Sequence, residues 1–155
     1  MHALTSSFTE KSKKYEGVAF KVRTLNALKR AARDAQIAGE RLEYTRLTSE
    51  RATQFKALAG EDGTIDELNA KVNALPVEKR LAIWDMDERA QRIYDEFIVP
   101  NTIRAALISV TGLSLDGIEN PSVDDILAGA PDDLIAEIHA ACVRGSGLTE
   151  GEAKN

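Results

Sequence analysis

The feature that most constrains this chain is the spacing of its apolar residues, which recur every three or four positions through most of its 155 residues. This spacing gathers apolar side chains on one stripe of an α-helix, whereas a half-buried strand needs alternation every second residue. It predicts a long helical tract over about 25–59, a second helix over 64–75 and a third over 77–98. Val99-Pro100-Asn101 is expected to interrupt the third helix, and shorter helices are expected after Ser122 and Pro131.

The long tract carries two apolar stripes. The first stripe contains Leu25, Leu28, Ala32, Ala35, Gly39 and Leu42, and after a phase shift the second contains Leu47, Ala52, Phe55 and Leu58. Gly39 either allows close approach of another backbone or marks a bend. Thr64 with Glu67 forms a capping-box pattern that predicts where the second helix begins.

Alternation with a period of two occurs in two short segments. Val18, Phe20 and Val22 alternate with other residues, which predicts a strand over 18–23. Asp116-Gly117 predicts a hairpin turn between Leu115 and Ile118, and this hairpin is expected to pair with the first strand. The predicted fold is therefore mainly α (α+β), with a long N-terminal helix, further helices and a small antiparallel sheet.

The same patterns predict the domain organisation. Residues 1–16 are rich in Ser, Thr and Lys and lack periodicity, so we expect a flexible N-terminal arm. Residues 17–147 are expected to form a single mainly helical domain, and 148–155 a frayed C-terminal tail.

No run approaches the roughly 18 apolar residues of a membrane span, the N-terminus lacks a secretory signal pattern, and Cys142 is a lone cysteine. We therefore expect a cytoplasmic protein.

Charge is distributed unevenly along the chain. Residues 1–33 contain eight basic and two acidic residues, a net +6, and residues 111–155 contain two basic and nine acidic residues, a net −7. Such a pattern can steer a charged partner. The two regions can equally attract each other within one fold, or between subunits head to tail.

The residues needed for catalysis or metal binding are scarce. Only His2 and His139 can supply an imidazole base, and His139 with Cys142 gives two potential zinc ligands where a site needs three or four. The carboxylate pairs Asp124-Asp125 and Asp132-Asp133 lie where helices begin, which accounts for them. We predict no catalytic, metal or cofactor-binding residue, and the chain is not expected to be an enzyme.

Nucleic-acid binding is also not favoured. Lys29, Arg30 and Arg33 share a helix face, but no exposed aromatic residue accompanies them and the isoelectric point is about 5.1.

Several segments together resemble a known kind of protein. They are the basic strand Gly17–Arg23, the long charged helix, Val110–Gly117, Pro121–Leu127, Ala130–Ile138 and the closing Gly147–Asn155. In this order they resemble small proteins encoded in the tail-gene clusters of long-tailed phages and prophages, of the tail-assembly-chaperone type. The resemblance is best over 107–155.

The resemblance implies a non-enzymatic protein in the host cytoplasm that binds the tape-measure protein and helps to recruit tail-tube subunits. A structural tail component, such as a tail-completion or connector protein, is the alternative, and it would persist in finished particles. A bacterial protein-binding adaptor is a third. Homo-oligomer formation through the long helix also remains open.

A chaperone of a helical client needs exposed apolar surface. We predict that the protein-binding residues are the larger apolar side chains of the two long helices: Leu42, Leu47, Phe55, Trp84, Met86, Tyr94 and Phe97.

Overall fold

The computed structural model describes residues 6–146 and is mainly α with a small antiparallel sheet, which confirms the predicted fold class. The chain forms two compact units. The terminal unit contains the described residues up to Gln36 together with those from Val99 onward, and the middle unit is Ile37–Ile98. The single domain over 17–147 stays a prediction, within which the described residues divide into these two units, and the predicted tail at 148–155 lies outside the described residues.

The terminal unit is built around a three-stranded antiparallel sheet of β1 (Ser7–Lys11), β2 (Ala19–Arg23) and β3 (Leu107–Thr111), in the order β1-β2-β3. Phe20 and Val22 of the central strand point to one side and are fully buried. On that side α7 (Asp132–Ser146) packs against β2 and presents the buried residues Leu134, Ile138 and Cys142. Hydrophobic alternation in the strand and a helical apolar stripe in α7 thus build one core.

Three further helices and a hairpin complete the terminal unit. They are α1 (Ala27–Ala35), α5 (Val99–Ala106), α6 (Val123–Gly129) and the pair β4 (Ser114–Leu115) and β5 (Ile118–Glu119). The predicted Asp116-Gly117 turn is confirmed: both residues have positive φ, 48° and 83°, as a tight two-residue hairpin requires. The strands that pair with β2, however, are β1 and β3, and not this hairpin.

The predicted flexible arm at 1–16 is wrong over its described part, because β1 pairs with β2 along its whole length. The following turn is tied to α7. The Ser12 hydroxyl and the Lys13 N–H both donate to Oε2 of Glu137, at 2.9 and 3.0 Å, and the Tyr15 hydroxyl donates to Oδ1 of Asp133 at 2.6 Å. These bonds lower the pKa of both carboxyls. Hydrogen bonds to distant segments therefore order β1 and the turn after it, although the composition of this segment alone predicts no regular structure.

The middle unit contains α2 (Ala38–Ala59), α3 (Ile65–Asn73), α4 (Val77–Ile93) and a π-helical turn (Tyr94–Ile98). The capping box of α3 is confirmed, since the Glu67 N–H donates to the Thr64 hydroxyl at 3.2 Å and the Thr64 N–H donates to the Glu67 carboxylate at 3.3 Å. α4 packs along α2.

Two predicted helix limits need correction. The tract 25–59 is two helices, because Ile37 leaves the helical region with φ −126° and ψ 35°, at the boundary between the units and just before Gly39. The expected interruption at Val99-Pro100-Asn101 is absent, since these residues begin α5. α5 follows the π-helical turn Tyr94–Ile98 without a break, so the departure from α-helical hydrogen bonding lies in that turn, just before Pro100.

Replacing Ile138 with alanine should test the core beneath the sheet. Because Ile138 is fully buried, the cavity is expected to lower the free energy of unfolding by about 2–5 kcal/mol. Val143→Ala is the matched control on the same helix, where the exposed side chain should cost less than about 0.5 kcal/mol. Equal losses for both variants in chemical denaturation would contradict this description of the core.

Candidate protein-binding surface

Two of the seven predicted binding residues lie in the core of the middle unit. Leu47 of α2 and Met86 of α4 are buried together with Ala90, and Tyr44 and Ile93 pack around them. They hold α2 and α4 together, so they are not available to another protein. This corrects the prediction, which followed apolar spacing without knowing which stripe faces inward.

Two other predicted residues are half-buried and engaged within the middle unit. Tyr94 lies against Tyr44 with ring centroids 6.0 Å apart, and burial raises the pKa of its hydroxyl. The Arg51 guanidinium lies 4.2 Å from the centre of the Phe55 ring, a cation–π arrangement, and the same guanidinium pairs with Asp87 of α4. Both aromatic residues contribute to helix packing, with only part of each ring facing solvent.

The remaining three residues, Leu42, Trp84 and Phe97, are exposed. Trp84 belongs to a stripe that the sequence analysis missed. Val77, Leu81 and Trp84 are 56%, 53% and 56% exposed and lie four and three residues apart on α4. This spacing puts them on one face of the helix, which we call the outer face of α4. The signal was present in the sequence, but the apolar residues of the opposite stripe masked it.

The outer face of α4 lies opposite the stripe that packs on α2. At 100° per residue, Ile83, Met86 and Ala90 centre on one side of α4, and Val77, Leu81 and Trp84 centre about 150° away. α4 is therefore apolar on both sides, although only one side is covered by the middle unit. An amphipathic helix of a free-standing unit would carry polar residues on the second side.

Acidic side chains border the outer face. Glu78 and Asp85 lie seven residues apart beside the stripe and are exposed. Neither forms an ion pair with any residue of the described segment 6–146, whereas Glu88 at the end of the stripe pairs with Arg92 at 3.7 Å. An apolar stripe with unpaired carboxylates along one margin suits a helix that carries apolar residues and basic neighbours.

A groove of about 390 Å³ lies between α2 and the start of α4. Leu58, Leu75 and Ala82 line it together with the aliphatic parts of Gln54 and Lys79. Its size and lining fit one or two inserted apolar side chains.

The chemically reactive residues of the terminal unit are dispersed. His139 and Cys142 lie on α7. Burial, with the nearby Arg33, lowers the pKa of His139. Within residues 6–146, no three His, Cys, Asp or Glu side chains lie together as a metal site would require.

Of the basic residues on α1, Arg30 donates to the Leu25 carbonyl at 3.0 Å and Arg33 pairs with Asp34 at 2.9 Å. His2 lies outside the described residues.

None of the described helices combines the length and the apolar character needed to cross a bilayer. Comparison of the chain with protein families, with curated proteins and with solved structures gives no match.

Cys142 provides a test of how well the terminal unit excludes water. Burial raises the pKa of its thiol to about 12, so its thiolate fraction at pH 8 should be about a thousandfold below that of a free cysteine. We expect Ellman's reagent to react with Cys142 only on the timescale of unfolding, and rapidly after guanidinium is added. Complete labelling of the native chain within seconds would show that this core is open.

Proposed function

We propose that this chain is a tail-assembly chaperone of a long-tailed phage, a protein that acts by binding and not by catalysis. Its client is the tape-measure protein, and the complex helps to recruit tail-tube subunits in the host cytoplasm. The proposal draws on two independent supports. One is the resemblance of residues 17–23 and 107–155 to such proteins, and the other is the surface of the middle unit.

The single observation that carries the proposal is the exposed apolar stripe on the outer face of α4. Covering a large apolar side chain stabilises a complex by about 1.5–3 kcal/mol relative to leaving it in water. A small unit therefore gains nothing by displaying Val77, Leu81 and Trp84 together unless a partner covers them. Tryptophan is also among the residues that contribute most to binding when a partner encloses them.

The chemistry of the outer face matches that of the expected client. A tape-measure protein is long and helical, so its free segments expose apolar stripes before the tail assembles. One such stripe can pack along the outer face of α4 as an amphipathic helix. Glu78 and Asp85 would then select segments with basic flanks.

The test is co-expression with the tape-measure candidate encoded beside this gene, followed by affinity capture through a tag on this chain. Leu81→Asp with Trp84→Asp should weaken the complex by about 2 kcal/mol or more, which is roughly thirtyfold. Both side chains are exposed, so the melting temperature of the isolated chain should change little.

Leu28→Asp is the matched control, because Leu28 is an exposed leucine of the terminal unit. It should leave capture unchanged. Equal capture by the wild type and the double variant would contradict the assignment of the outer face. No capture by the folded wild-type chain would contradict the client.

A further inference from the structure

The face of the three-stranded sheet that points away from the core is strongly basic. Side chains alternate along each strand, so the strand register determines which residues share this face. Lys21 lies between Thr9 and Ser109, and Arg23 lies opposite Ser7. Lys11 lies opposite Ala19, whose other neighbour is Thr111. We call Lys11, Lys21 and Arg23, with the hydroxyl residues among them, the basic sheet face.

The three cations of this face are exposed and uncompensated. Within residues 6–146 none of them forms an ion pair. Elsewhere in the terminal unit, Lys14 lies 3.5 Å from Asp133 and Arg144 pairs with Glu10, whereas Lys13 and Lys29 are single exposed cations without an ion pair in the described segment. A face with three like charges, in a chain whose net charge is −5, attracts an acidic partner.

A bulge adds an apolar contact to the basic sheet face. Lys21 pairs with Ser109 and Val22 with Leu107, so Ile108 is the extra residue of β3. It is 39% exposed, while its neighbour Leu107 is buried.

The complementary surface is present on the same chain. The β4–β5 hairpin and the first turn of α6 carry the exposed carboxylates Asp116, Glu119 and Asp124. Asp116 and Glu119 have no ion-pair partner within the described segment, and Asp124 lies 3.3 Å from Arg104 at a site where both side chains are largely exposed. Ile118, between the first two, is 48% exposed. We call this surface the acidic edge.

We propose that the basic sheet face of one copy binds the acidic edge of a second copy. Within the described segment the basic sheet face offers three unpaired cations and the acidic edge two unpaired carboxylates, and each surface has one exposed isoleucine, so the two match in charge and in apolar content. The contact joins different surfaces and is therefore heterologous. Each added copy leaves one basic sheet face and one acidic edge free, so assembly continues beyond the dimer unless a ring closes.

A nucleic-acid strand is a poorer match to the basic sheet face. The outward positions of the three strands hold no aromatic side chain on which a base could stack. The net negative charge of the chain also repels a polyphosphate at long range. This association uses the terminal unit and is independent of the client site proposed on α4.

The first measurement is sedimentation velocity of the full chain over a range of concentrations. In about 50 mM salt the sedimentation coefficient should rise with concentration beyond that of a dimer. Raising the salt to about 500 mM should weaken the association at least tenfold, because exposed charges are then screened within a few ångströms. A wild-type chain that remains a monomer at low salt overturns the proposal.

Two variants disable one surface each. Lys21→Glu with Arg23→Glu reverses the basic sheet face, and Asp116→Asn with Glu119→Gln neutralises two carboxylates of the acidic edge. Asparagine is chosen at position 116 because it tolerates the positive φ there. Each variant alone should be a monomer. An equimolar mixture retains one intact pair of surfaces and should form a dimer that does not grow further.

The matched control is Lys71→Glu with Lys79→Glu, which changes the net charge as much as the first variant does but alters exposed lysines of the middle unit. It should assemble like the wild type. Circular dichroism melting verifies that every variant is folded. Assembly by either single-surface variant alone, or no dimer in the mixture of folded variants, overturns the proposal. The proposal is also overturned if the chain stays a monomer and binds a fluorescent oligonucleotide through Lys21 and Arg23.

Discussion

The burial of Phe20 and Val22 beneath α7 is the contact on which the terminal unit depends. β2 is the central strand, so its inward side chains receive α7, while its two edges hold β1 and β3. Segments more than 80 residues apart along the chain meet there, as the pairing of Phe20 with Val110 illustrates. Closing so long a loop costs entropy, which the buried apolar area of β2 and α7 offsets. Without this core, β1 and the turn bonded to Glu137 and Asp133 would have no surface to join.

The middle unit is held together by a small apolar core and by ion pairs at the margins of that core. Its buried cluster is small, with Leu47, Met86 and Ala90 at the centre, and ion pairs such as Glu43–Arg89 and Arg51–Asp87 join α2 to α4 at the margins. Exposed pairs of this kind contribute little stability. The apolar residues on the outer face of α4 add nothing to the isolated unit and favour a complex. The middle unit thus combines a small core with an exposed apolar stripe on α4.

The terminal unit separates its charges by sheet face and by edge. Within residues 6–146 the cations on the outward side of the strands form no ion pair with the carboxylates of the hairpin and α6, although both belong to one compact unit. Two carboxylates of the same unit, Asp133 and Glu137, hold the N-terminal segment through Lys14, Tyr15 and Ser12.

The sequence by itself determined the local structure. The Thr64 and Ser122 caps, the Asp116-Gly117 turn, the strand at β2 and the helical segments all follow from short-range rules, since the groups that interact lie within a few residues of each other. Only the tertiary structure decided which apolar stripe of α4 is covered, that Leu47 and Met86 are core while Trp84 is surface, and that Ser7–Lys11 is a strand. Periodicity places side chains on a face but carries no information about what packs against it. The packing partner of a face depends on contacts between segments that are distant in sequence. These contacts stabilise the protein only after the loops between the segments have closed.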